Sequence, residues 1–348
     1  MAARANKIVD DEYSRMPLVA KLICEHISLD GIDRYLAETG VQESDFVLVE
    51  PEGFAGEIFA VDGSNASLCS WSTANVNLIR AGYAVYRGRD WRRTVITFDD
   101  VFLADPRLFK DMFDPYLEQF FGLKGIDLKE SDLDRLSSYY REMQEYVAID
   151  EAIREAHGGD IILYDGSFDV FEPLRGVLAA IFARAREKGV FLLAVAKSSS
   201  LFWGEGISLP FVLHTGMAGS RLLPGEAWYL SLKDKKVDAR CGRWNGQTYV
   251  VRFCGQSGHT FRVDAPAYLA GDIGSALGKL AAYSSSTECP GYPHALFRAH
   301  RDIRITSKEG GAMRQKLMAQ LFEMGMSQME VRMLMQDYHD VLEMKQGI

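Results

Sequence analysis

The chain has 348 residues, of which 47% are apolar and 25% are charged, and this composition is typical of a globular protein. It excludes a mainly disordered, collagenous or disulfide-scaffold protein, and a chain of this length buries a sizeable core. Lys and Arg number 39 against 48 Asp and Glu, and the net charge of −9 argues against a protein that coats nucleic acid nonspecifically. An enzyme with a local basic groove and an acidic metal site remains compatible with this charge.

Neither the N-terminus nor any internal stretch predicts a membrane or secreted protein. The sequence has no run of about 18 consecutive apolar residues. Its first residues lead into Asp10-Asp11-Glu12 instead of the apolar centre of a signal peptide. The five cysteines are scattered and never spaced Cys-x-x-Cys, which disfavours a zinc ribbon or a disulfide framework. We therefore expect a cytoplasmic protein with no membrane span.

In chain order, the hydrophobic pattern predicts helices first and strands second. Apolar residues recur at helical spacing up to about residue 45, with a break at Leu29-Asp30-Gly31. Strand-like runs follow at 57–61, 82–86 and 94–98, and the segment 104–157 has mostly helical periodicity. The first third of the chain therefore predicts a helical N-terminal segment followed by the start of a sheet.

The middle of the chain alternates strands and helices. Residues 161–164 and 190–195 have the pattern of buried strands on either side of a helix over 172–188, which favours an internal parallel sheet. Short strand-like runs, including the one at 211–214, fill the segment from 209 to 264. Two further helices are predicted at about 270–284 and 293–302.

One tripeptide recurs after an apolar strand-like run, as Asp62-Gly63-Ser64 and as Asp165-Gly166-Ser167. An Asp at the end of a buried strand is held rigidly, and the Gly after it allows a sharp turn and the close approach of a ligand or metal. Two such carboxylates on neighbouring strands are suited to holding divalent cations through oxygen ligands. Asp-Gly is also a common turn dipeptide, so two simple turns are the alternative interpretation.

A metal centre of this kind needs further ligands, and the helical segment before Asp165 offers acidic candidates. Glu142, Glu145 and Glu151 all lie in this segment, although most acids on such a helix form its solvated face. Glu145 is adjacent to Tyr146 and lies near the core-facing stripe. It is therefore the preferred ligand of the three.

The segment 289–302 supplies a histidine and several cations. Pro293 predicts the start of a helix, which places His300 two turns in, where it is either a ligand or a core histidine. Arg298 and Arg301 suit contact with phosphate but would equally suit a solvated face. These residues extend the candidate site to a third region of the chain.

Lys197 follows a predicted strand, where a cation is placed to neutralise a phosphate. No Gly-x-x-x-x-Gly-Lys precedes it, so the segment is not a Walker A loop, and no other recognisable ATP-binding motif is present. A nucleophile elbow of the Gly-x-Ser-x-Gly type is also absent from the sequence. The sequence thus favours chemistry carried by metal ligands.

The order of these segments resembles the NurA nuclease family. The likeness spans about residues 50–308 and is carried by the order and spacing of short motifs. The matching segments are Ala-Val-Asp-Gly-Ser (60–64), Leu-Tyr-Asp-Gly-Ser (163–167), Ala-Lys-Ser-Ser (196–199), a late strand (259–266) and Tyr-Pro…Arg-Ala-His (292–300).

The resemblance implies an α/β protein with an RNase H-like core, in which helices flank a mixed β-sheet. It places this nuclease core at residues 49–308, between a helical N-terminal segment (1–48) and a helical C-terminal extension (309–348). It further implies a homodimer around DNA that works with a hexameric HerA-type ATPase translocase. The implied activity is trimming of DNA ends in double-strand break repair, as an exonuclease with endonuclease activity.

The resemblance also implies roles for individual residues. Asp62, Asp165 and His300 match the family's metal site, and Glu145 is our placement of its helical ligand. Mn²⁺ or Mg²⁺ is the implied cofactor. Two cations about 4 Å apart, one activating water and one stabilising the leaving oxygen, is the arrangement that suits phosphodiester cleavage. Lys197, Arg298 and Arg301 are the candidates for DNA contact.

Two other functions use the same residues. One is a non-catalytic docking partner of a DNA translocase, against which the intact Asp62, Asp165 and His300 argue. The other is a metal-dependent phosphohydrolase, such as a phosphatase, acting on a small substrate. An assay on linear DNA with manganese and with chelator distinguishes these functions.

The C-terminal extension holds eight of the thirteen methionines. Ser327-Gln328-Met329-Glu330 has the form of a capping box, which predicts two helices joined near Gly325. Their apolar stripes either pack on the core or form a subunit or translocase interface, for which flexible thioethers are well suited. The stripes are Leu317, Leu321 and Met324 in the first helix, and Val331, Leu334, Tyr338 and Val341 in the second.

Overall fold

The computed structural model describes residues 16–27, 31–71, 74–105, 107–125, 135–169, 172–199, 201–203, 209–237 and 246–335. Two helices, α1 (Met16–Ile27) and α2 (Gly31–Thr39), precede a short strand, β1 (Phe46–Leu48). Of the break predicted at Leu29-Asp30-Gly31, the first two residues lie outside the described residues, and Gly31 is the first residue of α2.

Three long strands form an antiparallel meander: β2 (Glu57–Trp71), β3 (Ala74–Arg87) and β4 (Asp90–Ala104). They contain the predicted strand-like runs but extend well beyond them. In particular, β2 does not end at the first Asp-Gly-Ser. Asp62 pairs with Gly82 and Ser64 with Arg80, so β3 keeps this segment extended. The prediction that Asp62 follows the end of a strand was therefore wrong.

The next elements add the parallel part of the sheet. They are α3 (Phe109–Tyr116), α4 (Leu136–Glu155), β5 (Ile161–Asp165), α5 (Arg175–Lys188) and β6 (Phe191–Ala196). Strand β5 runs parallel to β2, and β6 runs parallel to β5. The resulting order β4-β3-β2-β5-β6, with three antiparallel strands followed by two parallel ones, is that of an RNase H-like core. The predicted fold class is confirmed.

The remaining strands extend the sheet beyond β6. A small hairpin of β7 (Phe202–Trp203) and β8 (Leu209–Pro210) leads into α6 (Phe211–Leu222), followed by β9 (Trp228–Ser231), β10 (Gly246–Arg252) and β11 (Phe261–Pro266). The nine-stranded sheet has the order β1-β9-β10-β11-β6-β5-β2-β3-β4.

The run at 211–214 is the first turn of α6, so its prediction as a strand was wrong. Four consecutive apolar residues fit a buried helix as well as a buried strand. The helical course brings Gly219 against Trp228, so closely that a Cβ on the glycine would lie 2.2 Å from the indole ring. Packing of the helix on β9 therefore decides the structure of this segment.

Four helices complete the described chain: α7 (Ile273–Ala281), α8 (His294–Ile303), α9 (Ser307–Glu323) and α10 (Gln328–Met335). The predicted capping box is confirmed, because the Glu330 carboxylate accepts a hydrogen bond from Ser327 N while Glu330 N donates to Ser327 Oγ. No helix of the described segments is both long and apolar enough to cross a lipid bilayer.

Side chains alternate between two layers along each strand. On one face, Phe59, Val61 and Tyr164 pack against α3, α4 and α5. On the other face, Ile58 and Leu163 contribute to a cluster that includes side chains of α7 and α8. A third cluster joins α2 and α6 to the far end of the sheet. This two-layer arrangement decides which side chains meet at the candidate site.

The Met-rich helices α9 and α10 pack against the outer ends of β2 and β3. Leu317 and Leu321 contact a cluster that contains Leu68 and Leu78, and Val331 is fully buried there. Met324, Met329 and Met333 by contrast are 79%, 73% and 72% exposed. The first stripe thus divides between the core and solvent, whereas the described members of the second, Val331 and Leu334, are buried or half-buried. Tyr338, Val341 and Met344 lie outside the described residues.

Candidate metal centre

The register of two parallel strands brings Asp62 and Asp165 together. The last paired residues of β2 and β5 are Val61 and Tyr164, so the two aspartates come next on neighbouring strands. By alternation both carboxylates point to the same face as Ala60 and Leu163, which is the face covered by α8. The predicted pairing of the two Asp-Gly-Ser copies therefore has a structural basis in the sheet register.

Helix α8 brings His300 to the same place. His300 Nδ1 lies 2.9 Å from Asp62 Oδ2, and the Gly63 amide donates a 2.8 Å hydrogen bond to the other carboxylate oxygen. One ligand atom from each of Asp62, Asp165 and His300 lies within 4.8 Å of the other two. Two carboxylate oxygens and an imidazole nitrogen form a donor set that suits a divalent cation such as Mn²⁺. The residues present fit a metal centre.

The electrostatics of Asp165 are consistent with a cation between the carboxylates. Burial raises the pKa of Asp165, and the nearby charge of Asp62 raises it further. Lys197 opposes both effects, with its Nζ 2.5 Å from Asp165 Oδ2. Two buried carboxylates side by side repel each other, and a bound cation relieves this repulsion. Lys197, predicted as a DNA contact, is thus placed at the centre itself.

Tyr292 is a site residue that the sequence analysis quoted only as part of a matching segment. It is buried beside Asp165, and burial together with the Asp165 charge keeps its pKa well above the usual value. Lys197 Nζ lies 5.7 Å from the centre of its ring. The available signal was its position eight residues before His300, just ahead of the Pro293 that begins α8.

Glu145 approaches the centre from the opposite face of the sheet. Its side chain is fully buried, forms an ion pair with Arg141, and accepts a 3.0 Å hydrogen bond from Tyr164 Oη. It fits there because Gly63 has no side chain, since a Cβ on Gly63 would lie 2.4 Å from Glu145 Oε1. Burial first, and then the charge of Asp62, raise the pKa of Glu145 to about 8 against the opposing effect of Arg141.

The other two helical candidates have different surroundings. Glu142, one turn before Glu145, accepts a hydrogen bond from Tyr146 Oη. Glu151 lies near Asp150 and Arg154, toward the end of α4. Neither they nor Glu145 belong to the three-residue cluster found among the described residues. Of the three acids, Glu145 is the one whose carboxylate reaches Gly63, beside Asp62.

A buried ion pair holds the loop that follows Asp165. Arg262 and Asp264, both on β11, contact each other at 2.9 Å and are almost fully buried. Asp264 also accepts a 2.9 Å hydrogen bond from the Phe168 amide. A carboxylate fixed in this way keeps the chain after β5 in place. Strand β11 therefore supports the position of Asp165 without touching it.

The two predicted DNA-contact arginines of α8 differ. Arg298 is 4.4 Å from the centre of the Trp91 ring and pairs with Asp302 at 2.6 Å, on the flank of α8 away from His300. Arg301 is exposed and has no ion pair within the described residues. Both assignments remain predictions.

A groove of about 330 Å³ borders the metal centre. Lys197 and His300 lie on its side nearest the carboxylates, and most of its wall is aromatic or apolar. Its other lining residues are His259, Phe261, Cys289, Pro290, Tyr292 and Phe297.

Comparison with protein-family models and with curated proteins gives no match. Among solved structures, the crystal structure of the NurA nuclease from Sulfolobus solfataricus aligns with 91% of this chain and 97% of its own, with a TM-score of 0.57 and 12% sequence identity. The chain has the NurA fold. A second crystal structure of NurA aligns with 92% of this chain and 96% of its own, at 12% identity and a TM-score of 0.49.

The NurA likeness extends over nearly the whole length of both chains, so the shared feature is the complete fold and not only the RNase H-like core. The catalytic domain of human Endonuclease V covers 83% of this chain and 95% of its own, with 12% identity and a TM-score of 0.36. The resemblance of the sequence to NurA is thereby confirmed at the level of the fold.

Proposed function

We propose that this chain is a metal-dependent deoxyribonuclease that processes DNA ends. The observation that carries the proposal is the cluster of Asp62, Asp165 and His300, whose ligand atoms lie within 4.8 Å of one another. Its two aspartates lie on neighbouring strands of an RNase H-like sheet and its histidine lies on α8, in a chain with the NurA fold. A metal site of this composition supports hydrolysis of a phosphodiester without a covalent nucleophile.

In this proposal Asp62, Asp165 and His300 would hold the cation, and a bound cation would supply an activated water and offset negative charge on the phosphate. Lys197 neutralises Asp165 and, with a half-exposed side chain, is available to a phosphate oxygen. The His300 imidazole is oriented by its contact with Asp62, and half of its side chain faces solvent. This contact would hold the imidazole in place as a ligand.

The groove beside the centre supports a nucleic acid as the substrate. Phe261, Tyr292 and Phe297 line it, and aromatic side chains stack on unpaired bases irrespective of sequence. Such a wall next to a metal centre suits a strand whose last nucleotides are unpaired.

The proposal also covers the cofactor, the type of cleavage, the location and the partners. We assign Mn²⁺ or Mg²⁺ as the cofactor, and Glu145, whose carboxyl group reaches Gly63 beside Asp62, would be a ligand of a second cation. We also include exonuclease with endonuclease activity in double-strand break repair, a cytoplasmic location, a homodimer and a HerA-type ATPase partner, which follow from the NurA resemblance. Light scattering and co-elution with a HerA-type hexamer test the last two.

The central test is cleavage of labelled linear DNA with manganese and with chelator. The wild-type protein should cleave in manganese only. Asp62→Ala and Asp165→Ala should each abolish cleavage, because each removes a ligand of the same cation. Asp111→Ala, which removes an exposed carboxylate from α3, is the matched control and should cleave like the wild type.

Near-wild-type cleavage by Asp62→Ala would show that the metal assignment is wrong. Hydrolysis of a small phosphomonoester without any cleavage of DNA would identify a phosphatase. Absence of both activities, with manganese bound, would leave the docking role as the function. Circular dichroism of each variant verifies that the fold is kept.

A further inference from the structure

A second cavity of about 330 Å³ lies at the other end of α8, between the β3–β4 hairpin and the segment that follows α7. Tyr86 and His294 form part of its wall, with ring centres 5.5 Å apart in an edge-to-face arrangement. Arg89 and the hydroxyl-bearing residues 285–287 also line it. The cavity therefore combines an aromatic wall with one cation and three hydroxyl groups.

The hairpin next to this cavity is basic in an otherwise acidic protein. Arg87, Arg89 and Arg92 are exposed and form no ion pair within the described part of the chain. Trp91 is 45% exposed, and the Arg298 guanidinium lies over its ring. Exposed arginines around an exposed aromatic ring are typical of surfaces that contact single-stranded nucleic acid.

The positive charge extends from the hairpin to the cavity wall. Tyr86 lies close enough to Arg298 and Arg301 for both cations to affect its phenol, and Asp302 and Glu288 partly oppose them. Asp302 is already paired with Arg298 and bonded to Thr94 Oγ1. These four charges balance, so Arg89 and the other exposed arginines of the hairpin supply the positive charge that favours an anion, and the aromatic wall favours a planar ring.

We propose that this cavity binds one phosphate-bearing nucleotide of a DNA strand, with the phosphate at Arg89 and residues 285–287 and the base against Tyr86 and His294. The volume is at the lower end for small-molecule sites, which suits a single nucleotide. The basic hairpin contacts the phosphates of the adjoining strand. This proposal deepens the nuclease function and depends on it for the identity of the strand.

Helix α8 links the cavity to the metal centre. His294 lines the cavity and His300 lies at the centre, and six residues of helix span about 9 Å. A strand that occupies the cavity is therefore held a short distance from the carboxylates. The cavity fixes which phosphate of the strand reaches Asp62 and Asp165.

The test measures binding of a fluorescent single-stranded oligonucleotide in chelator, where no cleavage occurs, at several salt concentrations. Arg89→Ala should weaken binding about tenfold and reduce the salt slope by about 0.7, the amount for one lost phosphate contact. Arg186→Ala, which removes an exposed arginine from α5, is the control and should match the wild type.

A second variant tests the cavity itself. Ser285→Phe places a ring at an exposed position of the lining, so it fills the space without disturbing the core. It should weaken binding and lower the salt slope by about the same 0.7, because it displaces the phosphate from Arg89 without removing a charge. Ser307→Phe, at an exposed position of α9, is its control. Wild-type binding by either Arg89→Ala or Ser285→Phe would overturn the proposal.

Calorimetry with 2′-deoxyadenosine 5′-monophosphate separates this proposal from the nuclease function. The wild type should bind the monophosphate more tightly than 2′-deoxyadenosine, and Arg89→Ala should lose that preference. If this holds while the wild type fails to cleave DNA in manganese, the cavity stands and the nuclease function is wrong. If the wild type cleaves DNA but binds no monophosphate, the cavity assignment is wrong and the nuclease function stands.

Discussion

Asp62 lies inside a strand of 15 residues with hydrogen-bonded strands on both sides, whereas Asp165 is the last residue of β5, after which the chain turns away. Their partners differ accordingly. Asp62 contacts His300 on α8, and Asp165 contacts Lys197 at the end of β6. The two copies of Asp-Gly-Ser therefore lie side by side on adjacent strands but differ in local conformation.

The glycines of the two copies have different roles for the same reason. The Gly166 amide bonds to carbonyls of Tyr164 and Val195, within the turn that ends β5. Gly63 makes no turn and instead leaves room for the Glu145 side chain. The two copies of the tripeptide thus lie at one site, but their glycines have different structural roles.

The largest expected effect concerns the Asp62 side of the centre. His300→Ala should lower DNA cleavage at least about 100-fold, the range for loss of a group that acts on the reacting atoms. Its melting temperature should stay near that of the wild type, because half of the His300 side chain is exposed and little packing is lost. Cleavage rates and thermal unfolding of one preparation give both quantities.

His157→Ala serves as the control, because it removes an exposed histidine from the loop just after α4. A lowered melting temperature with a proportionate loss of activity would instead assign His300 a structural role. The contact between Asp62 and His300 would then contribute to stability and not to catalysis.

A smaller effect is expected from Gly63→Ala. The added methyl meets the buried Glu145 carboxyl group, which cannot move into solvent, so the variant should lose about 1–3 kcal/mol of unfolding free energy. Gly53→Ala, where a Cβ meets nothing within 4 Å, is the control. Chemical denaturation measures both, and an unchanged midpoint for Gly63→Ala would show that Glu145 does not occupy this space.

The smallest expected effect is a dependence of stability on pH that comes from Glu145. The pKa of Glu145 is raised from 4.5 to about 8, so the wild type loses stability as the pH rises between these values, where the unfolded chain ionises and the buried group does not. Glu145→Gln cannot ionise. Its stability relative to the wild type should therefore increase from pH 5 to pH 8, measured by thermal unfolding in chelator.

Manganese sharpens this test. If Glu145 is a ligand, the cation should stabilise the wild type more than Glu145→Gln at pH 7.5, because the variant lacks a charged donor. Glu142→Gln is the matched control one turn away. Equal stabilisation of all three proteins would exclude Glu145 from the metal centre.

The sequence predicted the parts of this structure that depend on local pattern. The buried runs before Asp62 and Asp165, and the helix that begins after Pro293, were all recognisable because burial and capping leave periodic signals. The length of β2 was not, because it depends on pairing with β3 along the whole strand. The 211–214 segment failed because its helix is decided by contact with Trp228.

For the same physical reason, some residues of the site could be predicted from the sequence and others could not. Asp62 and Asp165 were named because each follows an apolar run, and His300 because it lies two turns into the helix predicted to start at Pro293. Tyr292 carries no such signal, since it owes its role to the chain's return beside Asp165. Glu145 reaches the centre from the other face of the sheet because Gly63 has no side chain. This contact depends on how the helix packs on the sheet, so the sequence pattern does not predict it.

The contact between Asp62 and His300 joins residues 238 positions apart in the chain. At ribosomal speeds of 5–20 residues per second, about 10–50 s separate the synthesis of these two side chains. Helix α8 is made after the strands that carry both aspartates, so a nascent chain has its carboxylates in place long before its histidine. The three-residue cluster therefore forms only after residue 300 has been synthesised, well after both of its aspartates.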